Sequence, residues 1–359
     1  QPSFFYLLAE HVATMSKPTY ALFPLPDVKD DSNYVLDLLG GVVRKRPPTG
    51  EEALAQLNAL EQRAKKHHDH QARYQLALYL LTHDAPSKFN RKIVSLLREP
   101  VHAQMPEALF LMGLLILREQ GLKPDPQKAA ELILQAAHAG YAEAQKLAAR
   151  LYDEGIGVEP QPDQALYWLR LAGAAGKAEC AREAGLRYRD GQNTAKNLNQ
   201  AQYWLNIAAN NGDAKAQYAL SRLLVRLPEK TSQQQSHAQH WLKEAALSGE
   251  LEAQFRLGLQ HWTGQGENIN LREALRWTCR SAEGGNLHAL LSLSGFFLAG
   301  NLLPLDRFKA YVFALYAERR GDHTALVTRQ SLESSLTYRE RRRAVHFIQL
   351  YHNPKSLVQ

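Results

Sequence analysis

The sequence predicts an all-α fold, a right-handed superhelical solenoid of antiparallel helix pairs. Three sets of residues recur every 36 or 37 positions, which indicates an internal repeat of stacked supersecondary elements. The aromatic set is Trp168, Trp204, Trp241, Trp277 and Phe313. The glycine set is Gly140, Gly176, Gly212, Gly249, Gly285 and Gly321. The small-residue set is Ala108, Ala144, Cys180, Ala216, Ala253 and Ala289. Because the sets keep one register along the chain, we expect stacked repeats to form most of the fold.

Each repeat is predicted to contain two helices joined by a turn. In the repeat that begins at residue 142, Ala144, Ala148 and Tyr152 lie at helical spacing on one face of the first helix. The following segment, EGIGVEPQPD, contains the glycines and prolines that end helices. Ala165 and Trp168 then share one face of the second helix. A two-helix repeat cannot bury its apolar face alone, so the repeats must stack on one another.

Residues 171–180, LAGAAGKAEC, contain a glycine–lysine pair that superficially looks like a nucleotide-binding loop. A P-loop has the pattern G-x-x-x-x-G-K-[ST]. Here Leu171 stands at the first glycine position and Ala178 at the Ser or Thr position. Gly176 shares its register with the rest of the glycine set, so we predict that it ends a helix in the left-handed conformation. The segment is therefore not interpreted as a nucleotide site.

The repeat resembles the Sel-one-like repeat family, a relative of the tetratricopeptide repeat. The family pattern reads A-x-A-x-x-x-L-G-x-x-Y, G-x-G-V, K-A-x-x-W and A-A-x-x-G. The repeat at 142–177 matches it as AEAQKLAARLY, GIGV, QALYW and LAGAAG, and the repeat at 251–286 as LEAQFRLGLQH, GQGE, EALRW and SAEGG. The resemblance covers residues 106–323. The repeat at 214–250 lacks a glycine after its first helix, so we expect its turn to protrude or to be mobile.

Four segments are expected along the chain. They are an irregular N-terminal arm at 1–48, N-terminal helices with a degenerate repeat at 49–105, six Sel-one-like repeats at 106–323, and C-terminal capping helices at 324–359. The arm is expected to pack over the solenoid or to bind a partner. Thr49 and Glu52 form a predicted capping box at the start of the first regular helix. Because the chain begins with Gln1, we expect that a preceding segment was removed, by a signal peptidase or by deliberate truncation.

Composition favours neither nucleic acid nor a bilayer as the partner. The 359 residues carry 43 basic and 36 acidic side chains, for a net charge of +7, and the two signs are interspersed. The basic clusters at 44–46, 63–66 and 339–343 are short and typical of solvated helix faces. The longest apolar run, residues 108–117, is shorter than the ~20 residues that span a bilayer. We predict no nucleic-acid binding, no integral membrane segment and a monomeric protein.

No motif predicts catalysis, a cofactor or a metal site. The stretch HHDH at 67–70 is interpreted as a helix end, because a zinc site needs three or four convergent ligands. Cys180 and Cys279 lie more than two repeats apart, beyond the reach of a disulfide, so both are expected to be free thiols. Cys180 stands in a core column and is expected to be buried and inert. Hydrolase, zinc-protease and dinucleotide-binding signatures are absent from the sequence, so we predict that the protein is not an enzyme.

The first helices are predicted to carry the partner-binding surface. If positions 3, 7, 8 and 11 of each repeat form the core, then positions 2, 6 and 9 face the concave side of the solenoid. The charged residues at these positions are the candidate partner-binding residues, namely Glu143, Arg150, Glu179, Glu183, Lys215, Arg222, Glu252 and Arg256. The uncharged residues there are Leu147, Leu186, Ala219 and Leu259. This set predicts a mixed-charge groove that holds a peptide or a protein edge.

Groove and family resemblance together predict a non-catalytic scaffold or adaptor that binds one or more proteins. The resemblance leaves two more specific roles open. One is an immunity or inhibitor protein that caps a secreted toxin enzyme, and the other is a scaffold for exopolysaccharide secretion. A periplasmic or envelope location in a bacterium is expected, with the cytoplasm as the alternative.

Overall fold

The protein is all-α over the residues that the computed structural model describes, which are 51–66, 69–83, 86–117, 125–227, 231–265 and 268–352. These residues form seventeen α-helices and no strand, which confirms the predicted fold class. They group into two compact units, one ending at Asn211 and the other beginning at Gly212. We call them the N-terminal unit and the C-terminal unit.

The N-terminal unit consists of nine described helices. They are α1 (Glu51–Ala64), α2 (His70–His83), α3 (Pro86–His102), α4 (Pro106–Leu117), α5 (Pro126–His138), α6 (Ala142–Glu154), α7 (Pro162–Ala174), α8 (Ala178–Asp190) and α9 (Leu198–Asn210). Each helix packs mainly against its neighbours along the chain, and the pairs α4 with α5, α6 with α7 and α8 with α9 pack most extensively. This pairing is the helix hairpin that the sequence predicts.

Small residues and one large ring hold the helix pairs together. Ala144, Ala165 and Ala172 are fully buried, so the helix backbones approach closely. A Cβ atom on Gly173 of α7 would lie 2.9 Å from the Cα atom of Ala181 in α8, which is closer than packed atoms allow. The ring of Trp168 is only 1% exposed and meets His138 edge to face at 4.8 Å between centroids. The predicted burial of this tryptophan is therefore confirmed.

The glycine column reverses the chain between one repeat and the next. Gly176 has φ of +94°, a left-handed conformation that glycine adopts without steric cost. The amide of Gly176 donates to the carbonyl of Gly173 at 3.1 Å, and that of Lys177 donates to Ala172 at 3.0 Å. This pair of bonds is a Schellman motif, which satisfies the last carbonyls of α7. The interpretation of LAGAAGKAEC as a helix end is confirmed.

The C-terminal unit consists of eight described helices. They are α10 (Ala214–Arg226), α11 (Ser232–Leu247), α12 (Leu251–Thr263), α13 (Leu271–Glu283), α14 (Leu287–Ala299), α15 (Arg307–Arg319), α16 (His323–Glu333) and α17 (Tyr338–His352). The pairs α10 with α11, α12 with α13 and α14 with α15 repeat the hairpin. Trp277 is buried in this unit, and Phe313 takes the place of tryptophan in the last pair, where it stacks on Phe297.

The first hairpin of the C-terminal unit departs from the repeat, as its sequence predicts. Leu227 ends α10 in an extended conformation, with φ of −61° and ψ of 144°, where other repeats have a left-handed glycine. Thr231 and Gln234 then start α11 with a capping box of two 3.2 Å hydrogen bonds. Trp241 is only half-buried, unlike the other tryptophans of the aromatic set. The turn expected to protrude falls largely on residues 228–230, which lie outside the described residues.

Several expectations fall on parts of the chain that the structure does not describe. The N-terminal arm, Thr49 of the predicted capping box, and His67 and His68 all lie there. Asp69 of the HHDH stretch is described, and it caps α2 by accepting from the amide of Ala72 at 2.9 Å. No helix in the described part of the chain is long and apolar enough to cross a membrane.

Candidate partner-binding surface

The exposed face of each first helix is set by which positions pack into the repeat stack. On α6 the partly exposed residues Glu143, Lys146, Arg150 and Asp153 follow one another at spacings of three, four and three, which places them on one face. Positions 2 and 9 of the repeat lie on this face, together with position 5, which the sequence interpretation left out. Position 6 is mixed, because the charged Glu183 and Arg256 have side chains that are 43% and 52% exposed, whereas Leu147 and Ala219 are each only 8% exposed. These two side chains pack inward and leave little surface for a partner.

In the N-terminal unit the candidate charges form ion pairs, some within one repeat and some between successive repeats. Lys177, at the end of the α6–α7 repeat, forms an ion pair with Glu143. Lys146 Nζ lies 2.8 Å from Glu179 Oε1, which joins α6 to α8. Burial disfavours both charges, but the hydrogen bond and charge of each partner outweigh it, so the pKa of Lys146 is raised and the pKa of Glu179 is lowered. Both side chains of this pair are therefore ionised at neutral pH.

A second bridge lies further along the same two helices. The guanidinium of Arg187 in α8 donates to both carboxylate oxygens of Asp153 in α6, at 2.6 and 3.0 Å. Glu183 accepts from Nε of the same arginine at 3.2 Å. The Arg187 side chain is 11% exposed, and its pKa is raised because these two carboxylates outweigh burial. Arg150 pairs with Glu154 at 2.7 Å within α6.

The four candidate residues of the N-terminal unit, Glu143, Arg150, Glu179 and Glu183, are thus all engaged within the unit. An ion pair that already neutralises a charge leaves less of that charge for a partner, because binding must first break or share the pair. Of the four, Glu179 pairs across repeats and therefore supports stacking, whereas the other three pair within their own repeat.

The C-terminal unit presents its candidate charges differently. Arg222 of α10 is exposed, and its guanidinium carbon lies 5.8 Å from the centre of the Tyr218 ring. Arg256 of α12 has a side chain that is 52% exposed, with Nε 3.3 Å from Glu252. Glu252 also accepts from Asn286 at 3.2 Å. The arginine keeps guanidinium donors that can reach a carboxylate, which it can bind in bidentate fashion.

Lys215, the remaining candidate, lies beside an acidic residue at the start of α12. Burial raises the pKa of Glu250, and the positive charge of Lys215 acts in the opposite direction. Tyr218 also titrates above its usual range, because burial and the carboxylate of Glu252 raise its pKa. Three of the four candidates of this unit, Lys215, Arg222 and Arg256, are basic, and Glu252 lies among them on α10 and α12.

Aromatic and apolar side chains next to these charges were missed at the sequence level. Tyr218 and Phe255 both occupy position 5 of their repeats, and Phe255 stacks near His288 at 6.3 Å. Trp262 of α12, which is not part of the aromatic column, stacks on Phe296 at 3.7 Å with an interplanar angle of 10°. Trp262 and Leu259 are only partly buried. A reading of position 5 down the repeats would have found the first two, whereas nothing in the repeat pattern identifies Trp262.

A column of buried glutamines was also missed, and it is structural. Gln145 donates to the carbonyl of Ala137 at 3.3 Å, and Gln254 donates to Ala246 at 3.0 Å, each from a first helix to the second helix of the preceding repeat. Gln217 is buried at the same position. The recurrence of glutamine at position 4 was the available signal. These side chains fix the stacking of one repeat on the next.

Reactive and metal-ligating groups do not converge on this surface. Cys180 and Cys279 are free and buried, as predicted, and burial raises the pKa of the Cys180 thiol to about 12. Within the described ranges, no three His, Cys, Asp or Glu side chains approach closely enough to hold a metal ion. What the surface offers is guanidinium groups beside apolar area, a combination enriched at protein interfaces.

Two solved structures show the same fold. A protective antigen of uropathogenic Escherichia coli, c5321, matches with a TM-score of 0.67 and 23% identity over 82% of this chain. The chain spans 64% of that protein's length. A Sel1 repeat protein from Oxalobacter formigenes matches with a TM-score of 0.60 and 24% identity, over 69% of this chain and 99% of that one. The immunity protein Pa5087 of Pseudomonas aeruginosa, at 19% identity and a TM-score of 0.32, is too dissimilar to support an inference. No curated protein sequence matches the chain.

The family model for the Sel1 repeat matches five consecutive segments, 106–141, 142–177, 178–213, 214–250 and 251–286. They cover half of the chain and keep the register of the aromatic, glycine and small-residue columns. Sel1 repeat proteins generally act as protein-interaction scaffolds and do not catalyse reactions. The resemblance noted from the motifs is thereby confirmed: this chain belongs to the Sel1 repeat family.

Proposed function

We propose that the protein is a non-catalytic scaffold that binds a protein partner on the exposed face of its first helices. Arg222 and Arg256 are expected to contribute most of the binding free energy, with Lys215 and Glu252 beside them. Replacing the candidates in the N-terminal unit, Glu143, Arg150, Glu179 and Glu183, is expected to weaken binding less, because their side chains are less exposed than that of Arg256 and already form ion pairs.

One observation carries this proposal. Consecutive first helices of the C-terminal unit present two exposed arginines, Arg222 and Arg256, and the second of these helices also carries the partly buried side chains of Leu259 and Trp262. Arginine and aromatic residues account for much of the binding energy of protein interfaces, whereas scattered surface charges contribute little. The basic character of this face favours a partner that presents acidic side chains.

Affinity capture from extracts of the native organism tests the proposal. The Arg222→Glu, Arg256→Glu double variant should lose its partner, with capture reduced about tenfold or more, because attraction becomes like-charge repulsion. A matched control is the Arg272→Glu, Arg307→Glu double variant. It makes the same charge change at exposed positions in the first turns of α13 and α15, where glutamate is compatible with the helix dipole.

The control should capture the partner as the unmodified chain does. Equal capture by the unmodified chain and by the Arg222 and Arg256 variant would exclude this surface as the binding site. Loss of capture by both double variants would indicate a general dependence on net charge rather than a site on the first helices.

The cellular location remains a prediction. In the periplasm or envelope, the protein would meet an envelope-complex partner or a secreted toxin. In the cytoplasm, it could not act as an envelope scaffold for exopolysaccharide secretion. Fractionation of cells that produce the full-length native protein, with antibody detection, distinguishes the two locations directly.

A further inference from the structure

Positive charge is concentrated near the C-terminal end of the chain. Residues 301–350 carry nine basic and five acidic side chains, so about one seventh of the sequence holds more than half of the net charge of +7. The last described helix, α17, contributes four arginines and no lysine. From the sequence, the cluster at 339–343 is interpreted as a solvated helix face, and the structure shows how its side chains are held.

One face of α17 packs against α15, and the opposite face is exposed. Ala344 and Ile348 are 0% and 1% exposed and belong to the apolar core of the C-terminal unit. Arg339, Arg342 and Arg343 lie on the other side of the helix at spacings of three and four residues, and all three are exposed. We call these three residues the arginine stripe.

The acidic side chains of residues 301–346, all of which the structure describes, are engaged elsewhere. Each one either caps a helix or pairs with Arg329. In chain order, Asp306 caps α15, Glu318 pairs with Arg329, Asp322 caps α16, Glu333 pairs with Arg329, and Glu340 closes a capping box at the start of α17. None of these five carboxylates pairs with the arginine stripe. The stripe therefore presents positive charge that this end of the chain does not neutralise.

Aromatic rings, and not carboxylates, hold two guanidinium groups of the stripe. The guanidinium carbon of Arg342 lies 5.9 Å from the centre of the Tyr338 ring, and that of Arg343 lies 5.6 Å from the centre of the Phe308 ring of α15. Contact with a ring face uses none of the N–H donors of a guanidinium, so its planar edge can still form two parallel hydrogen bonds. Tyr338 is itself 66% exposed and adds contact area beside Arg342.

The residue types of this face favour protein carboxylates over other anions. Arginine and tyrosine are enriched at protein interfaces, where lysine is depleted. A lipid surface or a nucleic-acid backbone attracts lysine and arginine alike, because the attraction depends mainly on charge. Arg339 and Arg343 lie one helical turn apart, about 6 Å along the axis. Alternate side chains of an extended chain are about 7 Å apart, so they match this spacing.

We propose that the arginine stripe of α17 binds an extended acidic segment of a partner protein, in which aspartate or glutamate at alternate positions contacts successive arginines. Tyr338 lies at one end of the contact. The stripe is on a different helix from Arg222 and Arg256, so this inference goes beyond the proposed function and does not depend on it.

Fluorescence anisotropy with a dye-labelled decapeptide of alternating glutamate and serine tests the assignment on the full chain. We expect binding that weakens as salt is added, and affinity that falls about tenfold or more in the Arg339→Glu, Arg342→Glu variant, because attraction becomes like-charge repulsion. The Arg339→Lys, Arg342→Lys variant keeps both charges but loses the planar forks, so its affinity should fall about threefold. The same peptide with glutamine in place of glutamate should not bind.

The Arg91→Glu, Arg98→Glu variant is the matched control, because it makes the same charge change at two exposed arginines of α3. It should bind the peptide as the unmodified chain does, and circular dichroism should show intact helices in every variant. Absence of binding, equal affinity of the unmodified chain and the Arg339→Glu, Arg342→Glu variant, or equal loss in both glutamate variants would each overturn the proposal. Full affinity in the lysine variant would also overturn it, because charge alone would then account for binding.

Two further probes test other anionic occupants. Vesicles of phosphatidylglycerol and phosphatidylcholine, measured by co-sedimentation, test a lipid surface, and a labelled DNA duplex, measured by anisotropy, tests nucleic acid. Tighter binding of either probe than of the peptide, lost in the Arg339→Glu, Arg342→Glu variant, would replace the acidic segment with that occupant and overturn the proposal.

The Arg222→Glu, Arg256→Glu variant separates this inference from the proposed function. It should bind the acidic peptide normally if the stripe is the site. Loss of the peptide in this variant, with normal binding by the Arg339→Glu, Arg342→Glu variant, would overturn the stripe and leave the proposed function standing. Normal native-partner capture by the Arg222→Glu, Arg256→Glu variant, together with peptide binding that requires the stripe, would support the stripe and exclude the first-helix face.

Discussion

Gly258 and Gly295 are glycines in the first helices of adjacent repeats, and the surroundings of each give the same substitution opposite consequences. At Gly258 of α12, a methyl group would overlap the hydroxyl of Thr278 and lie 3.0 Å from its backbone nitrogen. Thr278 is fully buried in α13, so it has little room to move. At Gly295, a methyl group would meet open space. One residue type thus serves close helix packing in one repeat and leaves surface open in the next.

We predict opposite changes in the free energy of unfolding for the two alanine variants. Gly258→Ala should lower it by about 1–3 kcal/mol, because overpacking forces α12 and α13 apart. Gly295→Ala should raise it by about 0.5–1 kcal/mol, because alanine has the higher helix propensity and nothing obstructs it. Urea unfolding followed by circular dichroism measures both values. A destabilised Gly295→Ala variant would show that the fold requires the glycine at this position.

At the scale of the helices, contacts between residues about 34 positions apart connect one repeat to the next. Asp153 with Arg187 and Lys146 with Glu179 join neighbouring repeats, whereas Glu143 pairs with Lys177 at the end of its own repeat. These pairs differ in exposure, and exposure determines how much solvent screens each one. The partly buried Asp153–Arg187 pair is therefore expected to contribute more than pairs of similar length at the surface.

A double-mutant cycle on Asp153→Asn and Arg187→Met should give a coupling energy of about 1–2 kcal/mol, because two charge-assisted hydrogen bonds lie in a partly buried site. The adjacent Arg189–Asp190 pair has the same 2.6 Å separation but side chains that are 33% and 42% exposed. Its coupling should be about 0.3 kcal/mol. Equal coupling energies for the two pairs would show that burial does not control these bridges.

The ion pair between Lys146 and Glu179 predicts that the free energy of unfolding depends on pH in the acidic range. The pKa of Glu179 is lower in the folded protein than its ordinary value of 4.5. The carboxylate therefore contributes stability above pH 4.5, and this contribution is lost as the pH falls through the lower, folded-state pKa. Urea unfolding at several pH values from neutral to about pH 3 should show a smaller acid-induced loss in Glu179→Gln than in the unmodified chain. Parallel curves for the two proteins would contradict this assignment.

These inter-repeat contacts could not be predicted from the sequence, unlike the repeat itself. The repeat period, the helix pairs, the left-handed Gly176 and the buried Trp168 could be predicted, because each follows from local spacing and residue type. The pairing of Lys146 with Glu179 could not, because it depends on how far one repeat rotates relative to the next. The inward position of Leu147 was missed for the same reason. A residue at the edge of the apolar stripe is buried or exposed according to that rotation.

At the scale of the molecule, stability in a stacked-repeat protein is approximately a sum of repeat stabilities and nearest-neighbour interfaces. Helices of the N-terminal unit pack mainly against helices close in sequence. Leu97 of α3 and Leu205 of α9 are both fully buried, and they belong to different parts of this unit. A cavity at either position should therefore destabilise the neighbouring helices more than the rest of the unit.

Hydrogen exchange measured by mass spectrometry tests this locality with two reciprocal variants. Leu97→Ala and Leu205→Ala each remove buried apolar contacts at a cost of about 2–5 kcal/mol. Leu97→Ala should accelerate amide exchange in peptides from α2 to α4, and Leu205→Ala should do so in α8 and α9, each leaving the other region close to its original rate. Each variant is thus the control for the other. If both variants accelerate exchange equally in both regions, the N-terminal unit unfolds as one cooperative body, and repeat stability is not a local property in this chain.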